Sequence, residues 1–130
     1  MNSDKLFSDN HIFDLGKIYP SAVGIWMGQS INSKISHNHI HDLNYTAISV
    51  GWTWGYAPQQ CHHHIIEHNH LHDIGRGMLS DLGAIYALGV QPGTVIRNNL
   101  IHDVSCLAYG VGGIYLDEGS SDILLEHNVV

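Results

Sequence analysis

Basic residues are scarce in this sequence. Among its 130 residues there are five lysines and arginines against twelve aspartates and glutamates, and the formal net charge is −7 with histidine neutral. So few positive charges suit neither the phosphates of a nucleic acid nor an anionic membrane surface. We therefore expect no nucleic-acid partner and no membrane partner, and a strongly acidic polysaccharide is also disfavoured.

Long apolar runs, prolines and cysteines are also few. No segment approaches the ~20 apolar residues that a transmembrane helix needs, and the opening MNSDKLFSDN does not have the pattern of a signal peptide. Three prolines and fourteen glycines favour short strands with tight turns over helices. Cys61 and Cys106 form no CxxC pair, so we expect two free or buried thiols.

What the sequence does contain is a repeat of two short segments. One segment, apolar-x-x-Asn-x-apolar, recurs with asparagine spacings of 31, 30 and 29 residues. Its asparagines are Asn38, Asn69, Asn99 and Asn128. The other segment is a small residue followed by Ile and then alternating positions, and it begins at Gly24, Ala47, Ala84 and Gly113. A period in this range indicates a solenoid, and the alternation with period 2 favours strands over helices.

The predicted fold is therefore all-β, a right-handed parallel β-helix of about four rungs that pair in register about 4.8 Å apart. Residues 1–22 are weakly patterned and are expected to form a partial rung or a loop. Residues 23–130 are expected to form the repeats, truncated at the C-terminus, because the chain stops on HNVV within a repeat motif. This stop suggests a fragment of a longer protein.

Alternation along each strand predicts which side chains face inward. The inward positions are Ile25, Met27, Ile48, Val50, Ile85, Ala87, Ile114 and Leu116. Trp26, Ser49, Tyr86 and Tyr115 form one outward column, and the repeated asparagines are expected to stack as a ladder of amides.

Carboxylates interrupt the repeat at Asp81, Asp117 and Glu118. Asp117 replaces small or apolar residues in its column and lies beside the outward aromatics. Two carboxyl groups held close together can act as general acid and as base or nucleophile, and Asp81 with Asp117 is the candidate pair, with Glu118 as a substitute acid or base. The alternative is structural, with Asp81 in an Asx-turn and Asp117 as a polar residue at a strand end.

The spacing of this pair sets a condition. If both strands were straight, the offset between Asp81 and Asp117 would separate the carboxyl groups by more than ~20 Å. The pair therefore requires the glycine-containing segment GRGMLSDLG, residues 75–83, to fold back over the face of the next rung.

Aromatic residues are concentrated in the inserted stretch GWTWGY, which contains Trp52, Trp54 and Tyr56. Together with Tyr86 and Tyr115 they are candidates for stacking against sugar rings, because insertions in solenoids often collect on a binding face. The alternative is ordinary packing of the inserted loop against the wall of the helix.

Histidine occurs twelve times, largely within the repeated motifs HNHIHD (37–42) and HNHLHD (68–73). Alternating histidines on a strand could supply a tris-His metal site. Recurrence within the repeat favours a column of stacked imidazoles instead. We therefore assign no metal and no other cofactor, and expect only adventitious binding of Ni or Zn.

Four stretches carry a family resemblance: 48–56 (ISVGWTWGY), 65–89, 91–104 (QPGTVIRNNLIHDV) and 112–130. They resemble right-handed parallel β-helix proteins of bacterial polysaccharide breakdown, related to β-helical glycoside hydrolases that include α-L-fucosidases and xylan-active enzymes. The resemblance covers most of the chain after residue 35. It implies a polysaccharide or oligosaccharide partner and an extracellular or periplasmic location. In the fucosidase-type members two aspartates from neighbouring rungs are catalytic, and Asp81 and Asp117 match them.

The leading functional hypothesis is thus a glycoside hydrolase that acts on a plant or bacterial polysaccharide of low charge. One alternative is a polysaccharide lyase or uronate epimerase that uses a histidine or arginine. A second is a non-catalytic module that binds glycan or supports a neighbouring domain.

Overall fold

The computed structural model describes residues 2–130, and in this range the chain forms short strands and no helix that could span a membrane. The strands belong to three parallel sheets. Sheet A contains β1 (Leu6–Ser8), β4 (Lys34–Ser36), β7 (Ile65–Glu67), β10 (Val90–Arg97) and β13 (Ser121–Glu126). Sheet B contains β2 (His11–Phe13), β5 (His39–Leu43), β8 (His70–Ile74) and β11 (Leu100–Val104). Sheet C contains β3 (Ile25–Met27), β6 (Ile48–Val50), β9 (Leu82–Ala87) and β12 (Val111–Leu116).

The chain visits sheets A, B and C in turn and so winds into a parallel β-solenoid of about four turns. This confirms the predicted fold class. Equivalent residues of successive turns are partners, as Ile35 is with Ile66 and Ile66 is with Ile96. Within residues 1–22, β1 pairs with β4 and β2 pairs with β5.

The core is a set of aliphatic columns inside the solenoid. Ile35, Ile66 and Ile96 of sheet A face Ile48 and Ile85 of sheet C in one cluster, and all five side chains are fully buried. Burying such side chains is the main stabilising contribution to a fold of this kind.

The inward assignment in sheet C is confirmed for the first three turns, where Ile25, Met27, Ile48, Val50, Ile85 and Ala87 are buried. In the fourth turn Ile114 is half-buried against the core, and Leu116 is 45% exposed. The prediction that Leu116 is buried is wrong. β12 is the edge strand of sheet C and pairs only with β9, so no further turn shields the Leu116 side chain from solvent.

The asparagine ladder is present. Asn69 Nδ2 donates to the Ile35 carbonyl at 3.1 Å and to Asn99 Oδ1 at 2.9 Å, while Asn69 Oδ1 accepts from the backbone N–H and the amide of Asn38. Asn99 continues the pattern to Asn128. Each amide thus satisfies backbone groups at the corner between sheets A and B, where no strand pairing is available.

Both cysteines are free, as predicted, and Cys61 is buried. Its Sγ lies 3.3 Å from Nε2 of His64, whose Nδ1 accepts the Ser33 N–H at 3.2 Å. This assigns the ring proton of His64 to Nε2, directed at the sulfur. The pair lies inside the solenoid, away from solvent.

Candidate functional site on sheet C

The outward column of sheet C is formed as predicted. Trp26 pairs in register with Ser49, Ser49 with Tyr86, and Tyr86 with Tyr115. The rings of Tyr86 and Tyr115 lie 5.4 Å apart between centroids. Because Ser49 is small, it leaves a gap between the large side chains above and below it.

The loop that carries the tryptophans is fixed to the next turn by two residues. Gly51 has a φ of 107°, and a Cβ there would lie 2.0 Å from the Leu88 carbonyl oxygen, so glycine is required. The buried side chain of Gln59 accepts the N–H groups of Trp52 and Thr53 at 3.3 Å and donates to the same Leu88 oxygen at 2.7 Å.

This loop also reaches one turn further. A Cβ on Gly119 would lie 1.8 Å from the carbonyl oxygen of Gly55. The tip of the loop therefore rests on the short turn that follows Asp117. A segment inserted after β6 thus spans the turns of β9 and β12.

Together the loop and the column enclose a cavity of about 430 Å³. Its aromatic walls are Trp26, Trp52, Trp54, Tyr45 and Tyr86, and Asp81 also lines it. The rings of Trp26 and Trp52 are 5.2 Å apart with their planes inclined by 41°. This volume lies within the range of small-molecule sites. Trp54 is 63% exposed and Trp26 is 57% exposed, so the aromatic surface is open to a ligand.

Asp81 reaches this cavity by a route that differs from the predicted one. Its segment does not fold back over the next rung. It stacks on that rung in register, with the Asp81 N–H donating to Tyr109 O at 2.9 Å. Instead β9 itself bends between Gly83 and Ile85, because a Cβ on Gly83 would lie only 2.8 Å from the carbonyl oxygen of Ile85, much closer than in an extended strand. The separation of the Asp81 and Asp117 carboxyl groups by more than ~20 Å, which assumed straight strands, therefore does not apply.

The bend brings Asp81 to the tyrosines of the outward column. The Tyr45 hydroxyl donates to the Asp81 carbonyl oxygen at 2.8 Å. Asp81 and Tyr115 both approach Gly110. A Cβ on Gly110 would lie 3.2 Å from Asp81 Oδ1 and 3.2 Å from the Tyr115 hydroxyl oxygen, so the two side chains are close to each other. Gly83 makes the approach feasible, because a Cβ there would lie 2.8 Å from Cβ of Tyr115.

Asp117 follows β12 and accepts a hydrogen bond from the Tyr86 hydroxyl. Burial and then this hydrogen bond raise the pKa of Tyr86, and the charges of Asp117 and Asp81 add to the effect. Burial and then the same two charges also raise the pKa of Tyr45 and of Tyr115. All three phenols are therefore protonated at neutral pH. Tyr45 and Tyr86 already donate their protons to Asp81 and Asp117, so their hydroxyl oxygens offer a ligand acceptor positions.

The structure thus brings most of the predicted site residues together and leaves two apart. Asp81, Trp52, Trp54 and Tyr86 line one cavity, and Tyr115 and Asp117 contact Tyr86. Tyr56 is 81% exposed and lies outside the cavity wall. The Glu118 side chain is exposed, while its backbone carbonyl accepts from Gly89 N–H at 3.2 Å.

Two residues of the site escaped the sequence reasoning. Tyr45 stands between the two repeated segments and belongs to no aligned column, so the repeat carried no signal for it. Gln59 lies within the insertion, where its role depends on the loop conformation. A glutamine close to a tryptophan-rich stretch was the available cue.

The outer surface of sheet B has a second cluster of interest. Two groups of three imidazoles have ring nitrogens within 4.8 Å of one another, one formed by His11, His39 and His41 and the other by His39, His70 and His72. Partial burial and then the neighbouring imidazoles lower the pKa of His39 and of His70, so both rings are neutral at pH 7. Neutral imidazoles of this kind could hold a metal ion.

Comparisons with known proteins support the fold. No family model matches the chain, and a search of curated proteins finds no match. A solved structure named "Glycoside hydrolase" matches with a TM-score of 0.73 and 20% sequence identity over 98% of this chain. The match covers 26% of that structure, so the chain spans about a quarter of its length. At this identity the likeness shows a shared β-solenoid architecture.

Proposed function

We propose that the aromatic cavity of sheet C binds a carbohydrate, and that Asp81 and Asp117 provide the carboxyl groups for hydrolysis of a glycosidic bond. The observation that carries this proposal is the cavity itself, which is lined by three tryptophans and a carboxylate. Tryptophan faces suit the C–H faces of pyranose rings, while Asp81 and the protonated phenols offer partners for hydroxyl groups. The name of the structurally similar hydrolase agrees with this substrate class.

The proposed reaction divides two roles between the aspartates. Asp81, at the cavity wall, donates a proton to the glycosidic oxygen as the bond from that oxygen to the anomeric carbon breaks. Asp117, oriented by the Tyr86 hydroxyl, either attacks the anomeric carbon or takes a proton from the water that does so. In the first case water then hydrolyses the glycosyl ester, giving its hydroxyl group to the new reducing end and its other proton to Asp81, while Asp117 leaves as a carboxylate. In the second case the hydroxyl group of the water joins the anomeric carbon directly, and the proton held by Asp117 is exchanged through solvent for the one that Asp81 lost.

The test compares three conservative variants on neutral polysaccharides and aryl glycosides. Hydrolysis is measured by the release of reducing ends. Asp81→Asn and Asp117→Asn should each lower kcat by at least ~10³-fold, because each removes a group that acts on the reacting atoms. Asp122→Asn, an exposed carboxylate on sheet A, should retain full activity. Turnover that survives either of the first two changes would remove that residue from the proposed pair.

A non-catalytic glycan-binding module is the second candidate. It is favoured by one observation, that Asp117 is hydrogen-bonded to Tyr86 but is not part of the cavity wall. Such a module would bind oligosaccharides with tryptophan fluorescence quenching and show no turnover on any of them. Asp117→Asn would then leave affinity unchanged, whereas Trp52→Ala would weaken it.

A lyase or epimerase acting on uronates receives less support. These reactions need a positive charge to neutralise the carboxylate of the sugar. Among the described residues, no lysine, arginine or histidine lines the cavity. A neutral glycan therefore fits the site better.

A further inference from the structure

The exposed surface of sheet B consists of two parallel columns of rings, which we call the histidine face. The first column contains His11, His39 and His70, and the second contains Phe13, His41, His72 and His102. Neighbouring rings within a column are stacked, with His39 and His70 at 4.9 Å and His41 and His72 at 4.8 Å between centroids. This face lies on a different sheet from the aromatic cavity.

Each imidazole of the second column has its orientation fixed by an aspartate. The Nδ1 atoms of His41, His72 and His102 lie 2.7, 2.6 and 2.7 Å from a carboxylate oxygen of the following aspartate. These aspartates, Asp42, Asp73 and Asp103, have φ values of 56°, 53° and 53°, which turn the carboxylate back onto the ring. An ionised carboxylate only accepts, so Nδ1 carries the proton in all three rings.

The tautomer leaves a lone pair on Nε2 of each second-column ring. These nitrogens face the first column diagonally, with His39 Nε2 at 2.8 Å from His72 Nε2 and His70 Nε2 at 2.9 Å from His102 Nε2. A carboxylate that holds the far nitrogen of an imidazole while the near nitrogen points at a neighbouring imidazole is the arrangement that orients histidine ligands at metal sites.

We propose that the histidine face binds a divalent transition-metal ion of the zinc or nickel type through His39, His70 and His72, with Asp73 as the residue that positions His72. The three ligand nitrogens lie within 4.8 Å of one another, and the closest pair is 2.8 Å apart. Bonds of about 2.0–2.1 Å in a tetrahedral site need nitrogens ~3.3 Å apart. Small rotations of these half-buried rings reach that spacing from both sides.

This trio is preferred over the alternative of His11, His39 and His41 for a structural reason. All three of its rings are half-buried, whereas His11 is exposed. Both trios share His39, so an ion in one excludes an ion in the other at the same nitrogen. The site takes ligands from two adjacent turns and leaves its fourth position open to water, since the His72 side chain is 18% exposed.

The first test is titration of the metal-free protein with Zn²⁺ by calorimetry and with Co²⁺ by visible absorption. The expected result is one ion per chain bound tightly, with the intense d–d bands of a tetrahedral cobalt centre. His39→Ala should weaken binding at least 100-fold, because it removes a ligand common to both trios. The double variant His37→Ala/His68→Ala, which removes another stacked and exposed pair, should bind as the unchanged protein does.

A second pair of variants keeps every imidazole and separates a built site from a surface rich in histidine. Asp73→Asn should weaken the ion 10- to 100-fold, the usual effect of losing the partner of a ligating histidine. Asp42→Asn, the same change one turn earlier, should leave affinity unchanged. Thermal unfolding of each metal-free variant checks the fold. Equal losses in the two variants, or Co²⁺ spectra of octahedral type throughout, would overturn the proposal.

Discussion

The histidine face of sheet B and the outward column of sheet C are both built on parallel strands that pair in register. They differ in how their residues vary from turn to turn. On sheet B the second and third turns repeat one another, so that His39 and His70 occupy equivalent positions, and a His–Asp pair recurs in the second, third and fourth turns. On sheet C the outward column changes over the first three turns, from Trp26 to Ser49 to Tyr86, and only Tyr115 repeats the residue before it. Identical residues stack continuously from turn to turn. The small Ser49 between larger side chains instead leaves a gap, which the tryptophan loop covers.

The difference shows how a solenoid separates scaffold from site. Parallel register brings equivalent positions about 4.8 Å apart, a distance at which identical amides or rings satisfy one another. A changed residue loses that partner and must find another, as Tyr86 does in Asp117. Changes to the repeated positions should therefore affect stability, and changes on sheet C should mainly affect ligand binding.

The largest effect is expected from the asparagine ladder. Asn69→Ala removes four hydrogen bonds in the interior, including that to the Ile35 carbonyl. Leaving these groups buried and unpaired should lower the free energy of unfolding by about 3–4 kcal/mol. Urea denaturation measures it, with Ser49→Ala as the control from sheet C, expected within about 0.5 kcal/mol. A loss below about 1 kcal/mol for Asn69→Ala would contradict the role of the ladder.

A histidine inside the solenoid should make the scaffold sensitive to acid. Burial lowers the pKa of His64 from 6.5 to about 4. The unfolded chain therefore binds this proton first, so stability is full above pH ~6.5 and falls as the pH drops towards 4, by roughly 2–3 kcal/mol. Stability measured against pH should lose this slope in His64→Gln. His68→Ala, which alters an exposed ring, should keep the slope of the unchanged protein.

An intermediate effect is expected from Gln59, because its buried side chain contributes to stability and also holds the tryptophan loop beside the cavity. Gln59→Ala frees the N–H groups of Trp52 and Thr53 and should cost about 1–2 kcal/mol of stability. It should also weaken glycan binding, because the tryptophan loop loses its attachment to Leu88. The neighbouring Gln60 is exposed, and Gln60→Ala should change neither quantity. Unaltered binding in Gln59→Ala would show that the loop holds its position without this side chain.

The smallest effect on stability is expected from Trp54. Its side chain is largely exposed, so Trp54→Ala should change the free energy of unfolding by less than about 0.5 kcal/mol. Loss of a stacking surface should nevertheless reduce oligosaccharide affinity about 10-fold, as isothermal titration would measure. Phe13→Ala, an exposed aromatic on sheet B, serves as the control. If Trp54→Ala lowered stability without lowering affinity, the loop would be a structural element and not a ligand-binding one.

The sequence predicted the scaffold because periodicity is visible in one dimension. Recurrence at 31, 30 and 29 residues marks Asn38, Asn69, Asn99 and Asn128, and it carries the core isoleucines with them. The inward positions of sheet C followed from alternation alone. Only burial at the edge strand, at Leu116, departed from that pattern.

The site was less accessible to the same reasoning because it depends on departures from the period. Alternation assumes a straight strand, so it could not anticipate the bend at Ala84 and Ile85 that brings Asp81 beside Tyr115. Tyr45 has no repeat partner, and the position of the tryptophan loop follows from contacts of Gly51, Gln59 and Gly119 with other turns. Such contacts depend on three-dimensional proximity and leave no spacing in the sequence.

The attachment of the tryptophan loop has a consequence for how such proteins diversify. The loop begins at Gly51 and is tied at Gln59, and both residues contact the Leu88 carbonyl oxygen. The stretch between these anchors can change in composition while β6 and β7 keep their partners, provided that Gly55 keeps its contact with Gly119. The ligand specificity proposed for the cavity is therefore modular. A loop transplanted between the same two anchors should carry its ligand preference to a new solenoid without any redesign of the strands.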